Sequence, residues 1–393
     1  MAAIGRQVFN TLTYQVKHGI YLNTVRAFSS PSTFKYADLT VEQTKSPQAK
    51  PTPDKLLFGH HFTDHMLEVD WTSKNGWGKP HISPLHNLSF HPAAKVLHYG
   101  IELFEGMKAY MGVDGKIRLF RPMENMKRMN KTAKRCDLPT FDGEELISCI
   151  KKLILIDREW VPKAENSSLY IRPTLIGNDP TLGVSKSQQA LLFVIVGPVG
   201  SYFTTGLEPV TLMADPKYVR AWPGGCGSYK MGSNYAPTIE VQSNAVKAKC
   251  QQVLWLYGED HQLTEVGTMN LFMYWTNEEG VDELITHPLD GLVLPGVTRS
   301  SLIKLAEEWG EFKVTEKPYG MKEVVKALKE NRVKEIFGAG TACVVCPVKE
   351  IVYEGEVLQI PAVGQPKLSM RFFKELTDIQ FGRKPSDMVE IVE

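Results

Sequence analysis

The sequence predicts two lobes of mixed α/β (α+β) structure with a site between them, and three observations lead there. The chain has 393 residues, enough for two domains of ordinary size. Apolar residues at helical spacing are interleaved with short branched and aromatic runs, without strict strand–helix alternation. A stretch rich in Gly, Pro and Thr with no period, Gly197–Glu208, separates the two halves.

In chain order, the first 37 residues contain no Asp or Glu, while Arg6, Lys17 and Arg26 are basic and Thr11, Thr13, Thr24, Ser29 and Ser30 supply hydroxyls. That is the make-up of an organelle transit peptide, and Arg26-Ala27-Phe28-Ser29 resembles a matrix-protease site, so residues 1–28 are expected to direct the chain to the mitochondrial matrix. Residues 29–55, polar and Pro-rich toward their end, read as an arm. Residues 56–199 form the predicted small domain. Met123–Cys136 and Glu144–Trp160 carry helical apolar stripes, and Leu169–Leu175 and Ala190–Val196 read as strands. Residues 200–209 form the interdomain loop. In the large domain, 210–393, the expected strands are Val210–Ala214, Val253–Tyr257 and Leu271–Trp275. The expected helices are Asn234–Lys249, Ser300–Trp309, Met321–Lys329 and Lys367–Phe381, with a hairpin over Ile351–Ile360 turning at Glu354-Gly355.

Composition narrows the function. Hydrophobic residues make up 43% and charged residues 23%, and the formal net charge is +1, so no basic field points to nucleic acid. No run approaches the ~20 apolar residues of a membrane span. The six cysteines are scattered, which does not fit a secreted disulfide scaffold; Cys343-Val-Val-Cys346 is the one close pair. No second pair lies at zinc-ligand spacing, so no metal is expected.

Four segments can carry chemistry. Lys230 lies in Gly224-Gly225-Cys226-Gly227-Ser228-Tyr229-Lys230-Met231-Gly232, where glycines permit close approach to a ligand and a desolvated lysine becomes a nucleophile. Glu265 sits between apolar runs, where a buried carboxylate calls for a cationic or hydrogen-bonding partner. Leu294-Pro295-Gly296-Val297-Thr298-Arg299 leads into a helix whose free N–H groups suit phosphate. Gly338-Ala339-Gly340-Thr341-Ala342 is a second small-residue loop.

In this order and spacing the segments resemble fold-type IV pyridoxal-phosphate enzymes, and within them the branched-chain aminotransferases, close to the mitochondrial vertebrate form. The densest matches are Phe58-Gly59 with Phe62–Met66, Leu103-Phe104-Glu105-Gly106, Ser168–Pro173, the Lys230 segment, Asp260–Asn270, Leu294–Arg299 and Phe337–Pro347. The resemblance implies reversible amino transfer from L-leucine, L-isoleucine or L-valine to 2-oxoglutarate, giving branched-chain 2-oxo acids and L-glutamate, with pyridoxal 5'-phosphate as carrier. It implies that Lys230 bonds the cofactor and then moves the substrate proton, that Glu265 faces the pyridine nitrogen and that Tyr235 meets the phenolic oxygen. Arg128, Val297, Thr298, Thr341 and Thr268 would hold the phosphate and ring; the family usually has a second valine where this chain has Thr298. Phe58, Tyr99, Phe104, Tyr170, Tyr202 and Thr268 would line the substrate pocket, Arg172 would take the distal carboxylate of glutamate, and the Ala342 N–H the α-carboxylate. Leu182 and Val184 match a loop that reaches a partner's site, which implies a homodimer. Cys343 and Cys346 match a family thiol pair, read as a redox pair. The alternatives are D-amino acid transamination or lyase chemistry on the same fold, and a thiol–disulfide protein working through Cys343 and Cys346.

Overall fold

The computed structural model describes residues 33–200, 208–361 and 367–393. The leader expectation over 1–28, Tyr202 and most of the expected 200–209 loop lie outside the described residues.

The first sheet is antiparallel apart from one edge. Its order is Thr40–Val41, His81–Pro84, His65–Thr72, Gln189–Val199, Ser168–Gly177, Met107–Met111, Ile117–Phe120 and Val389–Ile391. The last strand comes from the chain's carboxyl end and pairs with Ile117–Phe120, so the polypeptide returns to its first sheet. Helices Pro122–Arg135 and Gly143–Ile156 bury Met126, Met129, Ala133, Leu146, Ile150 and Leu153 in one cluster with strand residues such as Leu67, Ile171 and Val194. Pro122 opens the first helix, where a missing N–H costs nothing. Asp142 caps the second, accepting from Glu144 N at 3.0 Å. The spacing predicts that second helix through Trp160; it ends at Ile156 and a short 3-10 turn follows. Asp157 is engaged elsewhere, taking the His65 N–H at 3.1 Å and His65 Nδ1 at 2.7 Å, which turns the chain away.

The second sheet closes on itself. Val210–Ala214, Gln252–Tyr257, Gln262–Val266, Met269–Thr276, Val333–Gly340 and Val344–Tyr353 pair in a ring, because Glu265 and Val266 register with Asn270 and Met269. The six ring strands satisfy one another's edges, while Asp282–Thr286, Lys313–Glu316 and Glu356–Gln359 extend the sheet outside the ring. Its apolar contents include Leu212, Leu254, Leu263, Leu271, Ile336 and Val348. Helices Val297–Trp309 and Leu368–Gln380, the latter through Phe372, share a third cluster with Phe272 and Phe337. The helix expected from Asn234 starts only at Thr238, after a 3-10 turn over Gly232–Asn234. Pro237 stands at its cap and has no N–H to extend the helix backward. The helix expected from Ser300 begins three residues earlier, at Val297, since Gly296 is extended. Among the described residues no helix is long and apolar enough to cross a membrane.

Candidate active site

One cavity of about 620 Å³ lies where the first sheet, the Lys230 segment and the open end of the Val297 helix meet. The Gly-rich segment is shaped by close approaches. At Gly227 a Cβ would lie 2.5 Å from Ala221 Cβ and 2.6 Å from the Leu292 carbonyl oxygen, so a side chain has no room. Asn234 Nδ2 donates to the carbonyls of Cys226 at 2.8 Å and Tyr229 at 2.9 Å, closing the loop on itself. Lys230 N donates to Thr132 Oγ1 at 3.1 Å, and its carbonyl accepts from Phe104 N at 3.2 Å. With the backbone held, Lys230 Nζ reaches Tyr235 Oη at 3.2 Å and stands 4.9 Å from the Phe104 ring centre.

Glu265 is buried, 4% exposed. Its Oε1 accepts the Leu294 N–H at 2.6 Å, and its Oε2 is 3.1 Å from Arg220 Nη2. Burial drives its carboxyl above the ordinary range, against the opposing pull of Arg220 and the Leu294 N–H. The Arg220 Nε is itself buried without a partner among the described residues. Arg220 and Glu265 share a small cavity with Tyr235 and Thr268.

At the opposite end lies an anion site. The 13-residue helix Val297–Trp309 has no side chain capping its amino end, so Gly296, Val297 and Thr298 present helix-start N–H groups at the cavity wall. Gly296 is needed there, as a Cβ would fall 2.1 Å from Asn270 Oδ1. Arg128 lines the same wall, but its guanidinium is already gripped. Glu105, fully buried, takes Arg128 Nε and Nη2 at 2.7 Å each and is held in turn by Asn125 Nδ2 at 2.8 Å. Burial alone would raise the Glu105 carboxyl; the charge and hydrogen bonds of Arg128 outweigh it and hold it below the ordinary range.

The remaining wall is aromatic. Phe58 meets Tyr170 edge-on at 4.9 Å, and the Arg172 guanidinium lies 4.6 Å from the Phe104 ring centre. Arg172 Nη2 donates to Tyr170 Oη at 3.1 Å, while its Nε is buried with no partner among the described residues. Thr268, Thr341 and Ala342 complete the lining.

Of the residues singled out from sequence, Lys230, Glu265, Tyr235, Arg128, Thr268, Val297, Thr298, Thr341, Phe58, Phe104, Tyr170, Arg172 and Ala342 meet in or beside this cavity. Tyr99 does not line it. Its hydroxyl accepts the Gly183 N–H at 2.6 Å and so tethers the loop bearing the exposed Leu182 and Val184. Cys343 and Cys346 are buried, and burial pushes the Cys343 thiol up to about 12 and the Cys346 thiol above its ordinary value. An oxidation-prone thiolate needs the reverse. Glu105, Arg220, Asn270 and Glu102 went unassigned in the sequence. Glu105 lies inside a matched motif, whereas nothing local marks Arg220, which stands 45 positions before the carboxylate it pairs with.

Residues 102–351 match the family model for amino-transferase class IV. The chain is 58% identical over 357 residues to the cytosolic branched-chain-amino-acid aminotransferase of Mus musculus, covering 90% of this chain and 92% of that one. It is also 58% identical over 359 residues to the mitochondrial form of Rattus norvegicus, covering 91% of each. Its fold is similar to the branched-chain amino acid aminotransferase from Escherichia coli, with TM-score 0.64 and 24% identity over 83% of this chain and 99% of that one. It is also similar to the T.th. branched-chain amino acid aminotransferase complexed with N-(5'-phosphopyridoxyl)-L-glutamate, with TM-score 0.65 and 24% identity over 83% of this chain and 98% of that one.

Proposed function

The chain belongs to the class IV aminotransferases and acts as a branched-chain-amino-acid aminotransferase; from that premise we propose how its own residues carry the reaction. Supporting this reading is the gathering in one cavity of a lysine amine, a buried carboxylate and the open amino end of a long helix. That donor set fits pyridoxal 5'-phosphate: an amine for the aldehyde, an acid for the ring nitrogen, and helix N–H groups for the phosphate. When bound, that group supplies the electron sink that lets the substrate Cα lose a proton.

Lys230 Nζ is the atom that takes and returns the proton at the substrate Cα, a role typically worth about 10²–10⁴-fold. Its contact with Tyr235 Oη sets the amine's direction. Glu265 is a buried acid that Arg220 orients at 3.1 Å without overcoming its burial, and a second cation beside it would favour its carboxylate form further. Val297 and Thr298 would hold the phosphate through backbone N–H groups, a role that does not depend on the Thr298 side chain. Arg128, fixed by Glu105, adds positive charge to that end. Phe58, Phe104 and Tyr170 form an aromatic wall against a branched aliphatic side chain, discriminating at roughly 1–3 kcal/mol per methylene-sized difference. Arg172, with its unpartnered Nε, receives the distal carboxylate when glutamate or 2-oxoglutarate enters.

The exposed tip at Leu182 and Val184 supports assembly as a homodimer. The acid-free, hydroxyl-rich leader supports the mitochondrial matrix; relatives of both compartments match at the same identity, so identity does not choose.

Borohydride reduction followed by mass mapping is expected to place the cofactor on Lys230. Lys230→Ala should lower kcat by at least about 10²-fold. L-leucine with 2-oxoglutarate should turn over and D-alanine should not. An adduct on another side chain, or turnover of the D-substrate alone, overturns the reading.

A further inference from the structure

Behind the Gly340–Ala342 turn sits a cation that the chemistry above does not use. Lys108, on the strand Met107–Met111, is 6% exposed, and its Nζ donates to the Ala342 carbonyl oxygen at 2.7 Å. Among the described residues, the one titratable group acting on it is the Cys343 thiol, which burial keeps protonated and therefore neutral. Among those residues no carboxylate answers it. The chamber around it, walled in part by Asn125, Thr298, Thr341 and Gln380, measures about 10 Å³ and has no room for an anion. A buried ammonium without a counter-ion is unfavourable, and burial draws Lys108 down to about 8. Yet Val297, Thr298 and Thr341 are shared with the main cavity, so an anion bound there lies across a single layer of backbone. The backbone of this layer is strained: Val344, a β-branched residue, has φ 65°.

We propose that Lys108 is a positioning residue that supplies the counter-charge for the substrate carboxylate bound at the Gly340–Ala342 turn. It grips the Ala342 carbonyl from behind, fixes that peptide at the cavity wall, and finds its missing negative partner when the amino acid or oxo acid arrives. The inference rests on the functional reading above, together with the expectation from the sequence that the Ala342 N–H takes the substrate's α-carboxylate. A phosphate at Val297 and Thr298 offers the same chemistry; the carboxylate is favoured because the bond is made to Ala342 itself.

The test titrates cofactor-loaded protein calorimetrically with 4-methylvaleric acid, an aliphatic carboxylate lacking an amino group. Lys108→Met removes charge and donor while keeping the length of the apolar stem; Lys108→Gln removes the charge and keeps a donor for Ala342. Both variants are expected to weaken acid binding by about tenfold or more. KM for L-leucine should rise in step, with kcat within about threefold of the parent. Cofactor retention on dialysis and the near-ultraviolet dichroism should not change. Parental acid affinity in both variants overturns the proposal. Parental affinity in Lys108→Gln reduces the role to a hydrogen bond and overturns the counter-charge. Loss of cofactor with acid binding intact assigns the cation to phosphate and overturns it as well. If the parent protein binds no acid, the functional reading fails and the inference with it.

Discussion

Glu265 is the residue whose chemistry depends most on a neighbour far away in sequence. Buried, it is pushed toward the neutral acid; Arg220 at 3.1 Å opposes that push. Removing the guanidinium therefore raises the Glu265 pKa. Arg220→Met is expected to move the acid limb of the kcat–pH profile to higher pH, because protonation then begins at lower proton concentration. A profile with an unmoved acid limb would show that Arg220 acts only as packing. Glu105 poses the same problem with the opposite outcome, since Arg128 engages it with two hydrogen bonds and holds it ionised. Both carboxylates are legible in the sequence as residues, but their ionisation is not. It depends on which cation folding brings beside each one.

At the scale of elements, the Lys230 segment shows what local sequence can and cannot announce. Its glycines signal a tight backbone, and Gly227 meets that expectation, with Ala221, Gly291 and Leu292 packed against the space a Cβ would take. Gly227→Ala is expected to lower the melting temperature and to abolish Lys230 labelling by borohydride together, since the clash is with backbone oxygens that cannot rotate away. Retained labelling at parental stability would mean that the loop yields freely. The Val297 helix start was readable as a phosphate site because the preceding Pro-Gly pair cannot continue a helix and leaves N–H groups open. The helix boundaries were less legible. Pro237 delays one helix and the demand of His65 on Asp157 ends another; the second cause lies about ninety residues away.

For the whole molecule, the carboxyl end is a structural part of the first sheet. Val389–Ile391 pairs with Ile117–Phe120, Val392 is buried in the first cluster, and Arg158 Nη1 meets Glu393 Oε1 at 2.7 Å. Deleting residues 389–393 is expected to lower the melting temperature and to loosen the strand that leads into the Arg128 helix, so that KM rises as stability falls. Unchanged melting after the deletion would show the closing strand to be dispensable. The sequence by itself determined the mixed fold class and the motif that singles out Lys230 as the candidate reactive lysine, since periodicity, glycine spacing and motif order are local properties carried along the chain. Tertiary structure alone decided the closure of the second sheet into a ring, the return of the last strand to the first sheet, and the Arg220–Glu265, Glu105–Arg128 and Lys108–Ala342 contacts. Those pairings join positions tens to hundreds of residues apart, and burial, which sets their strength, exists only once the chain has folded.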